Sequence, residues 1–153
     1  MMIFSISTEV LPEFKLLQDI CMYFEKECEF DFDLPFTFKF LSHLSSGCLG
    51  DECTKNGHHI IRIRIGRELY ATVCTIFHEL VHAMQVEGLG VQDFKKQYTS
   101  ESSTAKDYYD NKFEGEAREI ASKLVSAYLS TPNFNSIHYK TQFSKAVEQF
   151  NLI

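Results

Sequence analysis

The apolar residues of this chain recur with two different periods, and the changes between them mark out its elements. Over residues 12–28, Leu17, Ile20, Cys21, Phe24 and Cys28 return at three- and four-residue steps, with Glu13, Lys15, Asp19 and Lys26 between them. That is the spacing of one buried helix face. Pro12 suits the first turn, where an amide has no partner within the helix. The period then drops to two. Phe36, Phe38 and Phe40 alternate with Thr37, Lys39 and Leu41, and Ile61, Ile63 and Ile65 alternate with Arg62 and Arg64, so both runs predict strands. Between them stand Gly47, Gly50 and the Asn56-Gly57 pair, the last a tight-turn signal because both residues tolerate positive φ. A small antiparallel sheet is the expectation.

Helical spacing resumes from residue 68 to about 87, with Val73, Phe77, Leu80, Val81 and Met84 on one face and Gly88 and Gly90 as the stop. Residues 91–111 are polar, serine-rich at the centre and without a sustained period; they carry Tyr98, Tyr108 and Tyr109 and predict a long loop. A further helix is predicted over 113–129, punctuated by Pro132, and a last short one over 142–150. No repeat or linker divides the chain, so the pattern predicts one α+β domain over residues 1–153.

Composition narrows the class. With 44% hydrophobic and 24% charged residues the chain has enough apolar sequence for a core. The net charge is -6, and four Arg and eleven Lys are scattered along the chain. Nucleic acid is therefore not an expected partner, since its binding rests on clustered cations that neutralise phosphates. The first residues lack a basic start and a long apolar stretch, and no uncharged run approaches the roughly 18 residues of a membrane span. Five cysteines, odd in number and irregularly spaced, fit reduced thiols better than a disulfide framework. The expectation is a cytoplasmic protein with no membrane partner. Cys48 and Cys53, with His58 or His59, are residue types of a structural zinc site, but one Cys pair falls short of the paired spacing that defines one.

The chemistry is concentrated in His78-Glu79-Leu80-Val81-His82. On a helix, residues i and i+4 project from nearly the same side, so both imidazoles can reach one ion. Zinc accepts neutral imidazole and keeps a position for water and one for a third protein ligand. Such an ion acidifies its water, and Glu79 between the histidines takes the proton as general base during attack on a peptide carbonyl. The third ligand must come from elsewhere. Gln85 and Gly88 stand where Gly and His would extend the motif, so a His-rich extension is absent. Downstream, Glu114 opens Glu114-Gly115-Glu116-Ala117-Arg118-Glu119-Ile120-Ala121. At about 100° per residue, Glu114 shares a stripe with Ala117, Ala121, Leu124 and Tyr128, while Glu116 and Glu119 point elsewhere. Two other readings stay open: Asn111 and Glu114 as a variant capping box, and Asp110, one turn earlier, as the ligand.

His78-Glu79-Leu80-Val81-His82 followed by Glu114-x-x-Ala117-x-x-x-Ala121 resembles the compact ImmA/IrrE-like and SprT-like zinc metallopeptidases, over residues 58–128 at most. Where Asn often follows the alanine in the first of these families, this chain has Arg118. The resemblance implies a minimal zincin-like fold of the gluzincin kind, with a small antiparallel sheet packed on helices and the motif on a central helix. It implies one zinc per chain held by His78, His82 and Glu114, and hydrolysis of protein or peptide substrates. In peptidases of this kind an extended substrate pairs with the sheet edge beside the site, and Ile61-Arg62-Ile63-Arg64-Ile65 is the run nominated; the alternative is a strand with a solvated arginine face. A donor for the charge developing on the carbonyl oxygen is sought among Tyr108, Tyr109 and His138, with Tyr109 the first choice. Two rival functions keep the motif: hydrolysis of a non-peptide amide, and a catalytically relic binding or regulatory module.

Overall fold

The computed structural model describes residues 4–6, 14–41, 43–44, 48–64, 69–104 and 110–135. The elements in order are β1 (Phe4–Ile6), α1 (Phe14–Cys28), β2 (Phe36–Leu41), β3 (Gly50–Lys55), β4 (His58–Arg64), α2 (Leu69–Leu89), α3 (Val91–Thr104) and α4 (Lys112–Tyr128). The class is α+β. The helix predicted over residues 142–150 lies outside the described residues.

The sheet is mixed, with strand order β1-β2-β4-β3, where antiparallel pairing was expected. β1 runs parallel to β2, and β2 parallel to β4; only β3 and β4 are antiparallel. The reason lies in the connections. Parallel neighbours need a crossover, and α1 between β1 and β2 is one, whereas β3 and β4 are joined by a two-residue hairpin. In that hairpin Asn56 and Gly57 take φ of 52° and 73°, the left-handed pair that matches strand twist.

β3 escaped the hydrophobic pattern because Gly50-Asp51-Glu52-Cys53-Thr54-Lys55 has no apolar alternation. Among the described residues it is the terminal strand, and polar residues are usual on an edge. β4, by contrast, is hydrogen-bonded on both sides, to β2 and β3. The run nominated as the sheet edge, Ile61 to Arg64, is therefore interior; Ile65 lies outside the described residues.

One face of the sheet is apolar and buried. Phe36, Phe38 and Phe40 of β2 and Ile61 and Ile63 of β4 meet Leu17, Ile20 and Phe24 of α1 and Val73, Ile76, Phe77 and Leu80 of α2 in a single core. Each fully buried Phe or Ile of this kind contributes about 1.5–3 kcal/mol relative to exposure. α2 is buried on most of its circumference, as expected of a helix apolar nearly all round. It also packs against β3, β4 and α4, so the motif rides on a central helix.

Residues 91–104 form α3, where a loop was expected. Val91, Phe94 and Tyr98 make a short apolar stripe, and serine and threonine over the last turns hide it in an average over the window. Gly90, at φ 90°, turns the chain between α2 and α3. The rings of Phe94 and Tyr98 then pack on Phe113 of α4, with centroids 5.2 and 6.1 Å away. Among the described residues, no helix is long and apolar enough to cross a membrane.

Candidate metal centre

His78 and His82 leave α2 one turn apart and Glu114 leaves the first turn of α4, so three side chains from two helices meet. His78 Nε2 and His82 Nε2 are 3.2 Å apart, and each is 3.0 Å from Glu114 Oε1. Glu114 and His82 are buried, and His78 is partly exposed. Ala117 and Ala121, both buried one and two turns after Glu114, keep the contact between α4 and α2 close. Glu116 and Glu119 are exposed, and so is Asp110. Asn111 is indeed the N-cap of α4, accepting from the Phe113 amide. The Glu114 side chain, however, is turned to the histidines.

The hydrogen bonds around the cluster decide what it can hold. Gln85 donates through Nε2 to the Phe113 carbonyl and to Glu116 Oε1, at 3.1 and 3.2 Å, so its Oε1 is the atom facing His82 Nδ1 at 2.8 Å. That oxygen can only accept, which places a proton on His82 Nδ1 and leaves the neutral ring's lone pair on Nε2. Two imidazole nitrogens and a carboxylate oxygen thus converge on one point, an arrangement that a cation satisfies. Ligands at zinc distances of about 2.0–2.1 Å in a tetrahedron stand about 3.3 Å from one another, close to the separations seen. His78, His82 and Glu114 could therefore hold a metal ion, and they are the one such group among the described residues.

Charge accumulates here as it would at a cation site. Burial works against the His82 imidazolium, but the bond to Glu114 and the charges of Glu79 and Glu114 outweigh it, lifting the pKa to about 8. Burial likewise pushes Glu79 up to about 8, with His82 opposing and Glu114 adding to the rise. The Glu79 rise is chiefly desolvation, and the His82 rise reflects the carboxylates beside it.

Glu79 and His82 open onto a cavity of about 330 Å³ between β3 and α3. On the β3 side Gly50 matters. A Cβ there would fall 2.6 Å from Thr75 Cγ2 and 3.4 Å from Glu79 Cγ, so only glycine lets the strand close onto α2 at the motif glutamate. Val86, Val91 and Phe94 give the cavity an apolar wall, and Tyr98 and Glu114 complete it.

Tyr98 is a site residue that sequence reasoning missed. Its phenol donates to Glu114 Oε2 at 2.5 Å, and burial followed by that bond raises its pKa, so it stays a donor. The signal was its place on the stripe of Val91 and Phe94. Gln85 was equally readable, as a polar residue on a buried face one turn after His82. Tyr108, Tyr109 and His138 lie outside the described residues. His43 and His58 are exposed, and Cys48 and Cys53 join neither them nor His59 in a second metal-binding group among the described residues.

His59, fully buried on β4, belongs to a separate cluster at the far end of α2. Its Nδ1 faces Glu52 Oε1 at 2.9 Å and its Nε2 faces Glu87 Oε2 at 2.6 Å. Glu87 also accepts from the Asp33 amide at 2.6 Å.

The fold and site together define an α+β protein in which two helices bring together a His/His/Glu group that could hold a metal ion. No family model matches the chain, and neither does any curated protein or solved structure.

Proposed function

We propose that the protein is a zinc-dependent metallopeptidase of the compact gluzincin kind, cleaving peptide bonds in protein substrates. The observation that carries the reading is the convergence of His78 Nε2, His82 Nε2 and Glu114 Oε1 within 3.0–3.2 Å, on the helix that places buried Glu79 against the same cavity. His78, His82 and Glu114 would hold the ion. Bound there, zinc would bring the pKa of water from 15.7 to about 7 and polarise the scissile carbonyl.

The chain's own residues supply the rest. Glu79 accepts a proton at its carboxylate from the attacking water and returns it to the leaving nitrogen. Its burial favours this role, because a carboxyl whose proton affinity is raised toward neutrality can both take and give a proton. A cation at the three ligands would oppose that rise and favour the ionised form that accepts the proton. The outer edge of β3, which pairs with no further strand among the described residues and lies beside Glu79 through Gly50, is the edge proposed for an extended substrate, which would give affinity with little sequence selectivity. The apolar wall of Val86, Val91 and Phe94 favours an apolar substrate side chain next to the cut. Tyr109 is the donor proposed for the carbonyl oxygen in the transition state.

The test compares wild type with Glu79→Gln on a mixed peptide library, with zinc measured in both. New chain ends are expected with wild type alone, while the variant keeps its zinc and its fold, because Glu79 serves the water and is not a ligand. Zinc-loaded wild type that cleaves no peptide would overturn the peptidase reading in favour of a binding module or a hydrolase of another amide.

A further inference from the structure

Glu114 has two oxygens, and the structure gives them different work. Oε1 lies 3.0 Å from both histidine Nε2 atoms. Oε2 instead accepts from the Tyr98 hydroxyl at 2.5 Å. A carboxylate without such a partner can swing about its last torsion; one tied at Oε2 cannot swing without breaking that bond, and Oε2 has one lone pair fewer to offer an ion.

The tie is built from both sides. Asn111 caps α4 through Oδ1 on the Phe113 amide at 2.9 Å. Its Nδ2 donates to the Tyr98 carbonyl at 3.2 Å and to Ser102 Oγ at 2.9 Å. One buried side chain therefore fixes the helix carrying Glu114 to the helix carrying Tyr98. The Tyr98 ring is held in turn by Phe94 and Phe113, at centroid distances of 5.6 and 6.1 Å. The phenol thus arrives at Oε2 on a short, braced element.

We infer that Tyr98 is a positioning residue of the metal centre, holding Glu114 by Oε2 so that Oε1 alone is presented to the ion beside His78 and His82. It acts through Glu114, as a partner behind a ligand does when it fixes that ligand's orientation. The consequence is a centre that favours one-oxygen binding by Glu114, which leaves room for water and substrate beside the three ligands. The inference rests on the metal-centre reading above.

Tyr98→Phe tests it, since the ring and its packing stay and only the hydroxyl goes. Zinc affinity, measured by competition with a chromophoric chelator, should fall about 10–100-fold. The visible bands of the cobalt(II)-substituted protein should shift as the Glu114 carboxylate reorients. A fall of less than tenfold together with a cobalt spectrum superimposable on wild type would overturn the assignment. If the unfolding temperature of the metal-free variant also drops, the cobalt spectrum decides: shifted bands support positioning of the ligand, and unchanged bands refute it. Wild type that binds no zinc or cobalt would instead remove the metal-centre reading itself, a separate outcome.

Discussion

The two halves of α2 each bring histidine and carboxylate together in a buried place, and they do opposite things with them. Near the middle of the helix, His78, His82 and Glu114 bring two ring nitrogens and a carboxylate oxygen to one point, with the far nitrogen of His82 already used by Gln85. At its C-terminal end His59 stands between Glu52 and Glu87, and both ring nitrogens face a carboxylate. The first arrangement sets two rings against one carboxylate oxygen, and a metal ion could take the place of the proton that His82 binds there. The second sets one ring between two carboxylates, each ring nitrogen with its own, and a proton closes it. Burial works against the resulting charge, but the bonds to Glu52 and Glu87 outweigh it, and the His59 pKa is raised. The lesson is that residue types do not distinguish a group that could hold a metal ion from a structural clamp; the number of ligand atoms converging on one point does.

The largest effect should come from removing a lone pair at the centre. Glu114→Ala is expected to weaken zinc binding more than about a hundredfold, beyond the 10–100-fold typical of losing a group behind a ligand. Glu119→Ala, whose residue is exposed, should leave affinity near wild type. Were Glu114 only a helix cap, its loss would cost about 0.5–2 kcal/mol of stability with the metal still in place, and titration with zinc separates the two.

Breaking the clamp should have the reverse profile. His59→Ala leaves Glu52 and Glu87 buried without their shared cation, which costs about 3–5 kcal/mol of stability by denaturant unfolding, while zinc affinity stays within a factor of two. Equal damage to zinc binding would mean that the two clusters are not separate devices. The clamp also carries a pH signature. A histidine whose folded pKa lies above its ordinary 6.5 stabilises fully below 6.5 and progressively less as pH rises through the folded value. The stability gap between wild type and His59→Ala should therefore be widest below pH 6.5 and shrink on the alkaline side. A gap that widens there would contradict a charged His59.

How much of this could be read from sequence follows from the range of each contact. His78, Glu79 and His82 were legible because four residues on a helix fix their relation by local geometry. Glu114 was legible too, because burial of Ala117, Ala121 and Tyr128 sets the facing of α4 and carries the glutamate with it. The clamp was not legible, since Glu52 and Glu87 lie 7 and 28 residues from His59, on two other elements. β3 was hidden because an edge strand needs no apolar alternation. Its discovery moves the candidate substrate edge from β4 to β3. α3 was hidden because its packing rests on three side chains, Val91, Phe94 and Tyr98, in an otherwise polar run. With α3 read as a loop, Tyr98 had no defined place, and Tyr109 was preferred for want of geometry.

The central claim, that α2 and α4 form a metal centre, is tested most directly by counting ions. Metal-free protein would be reconstituted with zinc, cleared of unbound metal, and weighed intact by native mass spectrometry alongside His78→Ala and His82→Ala. The account predicts one zinc per chain in wild type and none retained by either variant. Wild type that retains no zinc, or variants that retain a full equivalent, would contradict it.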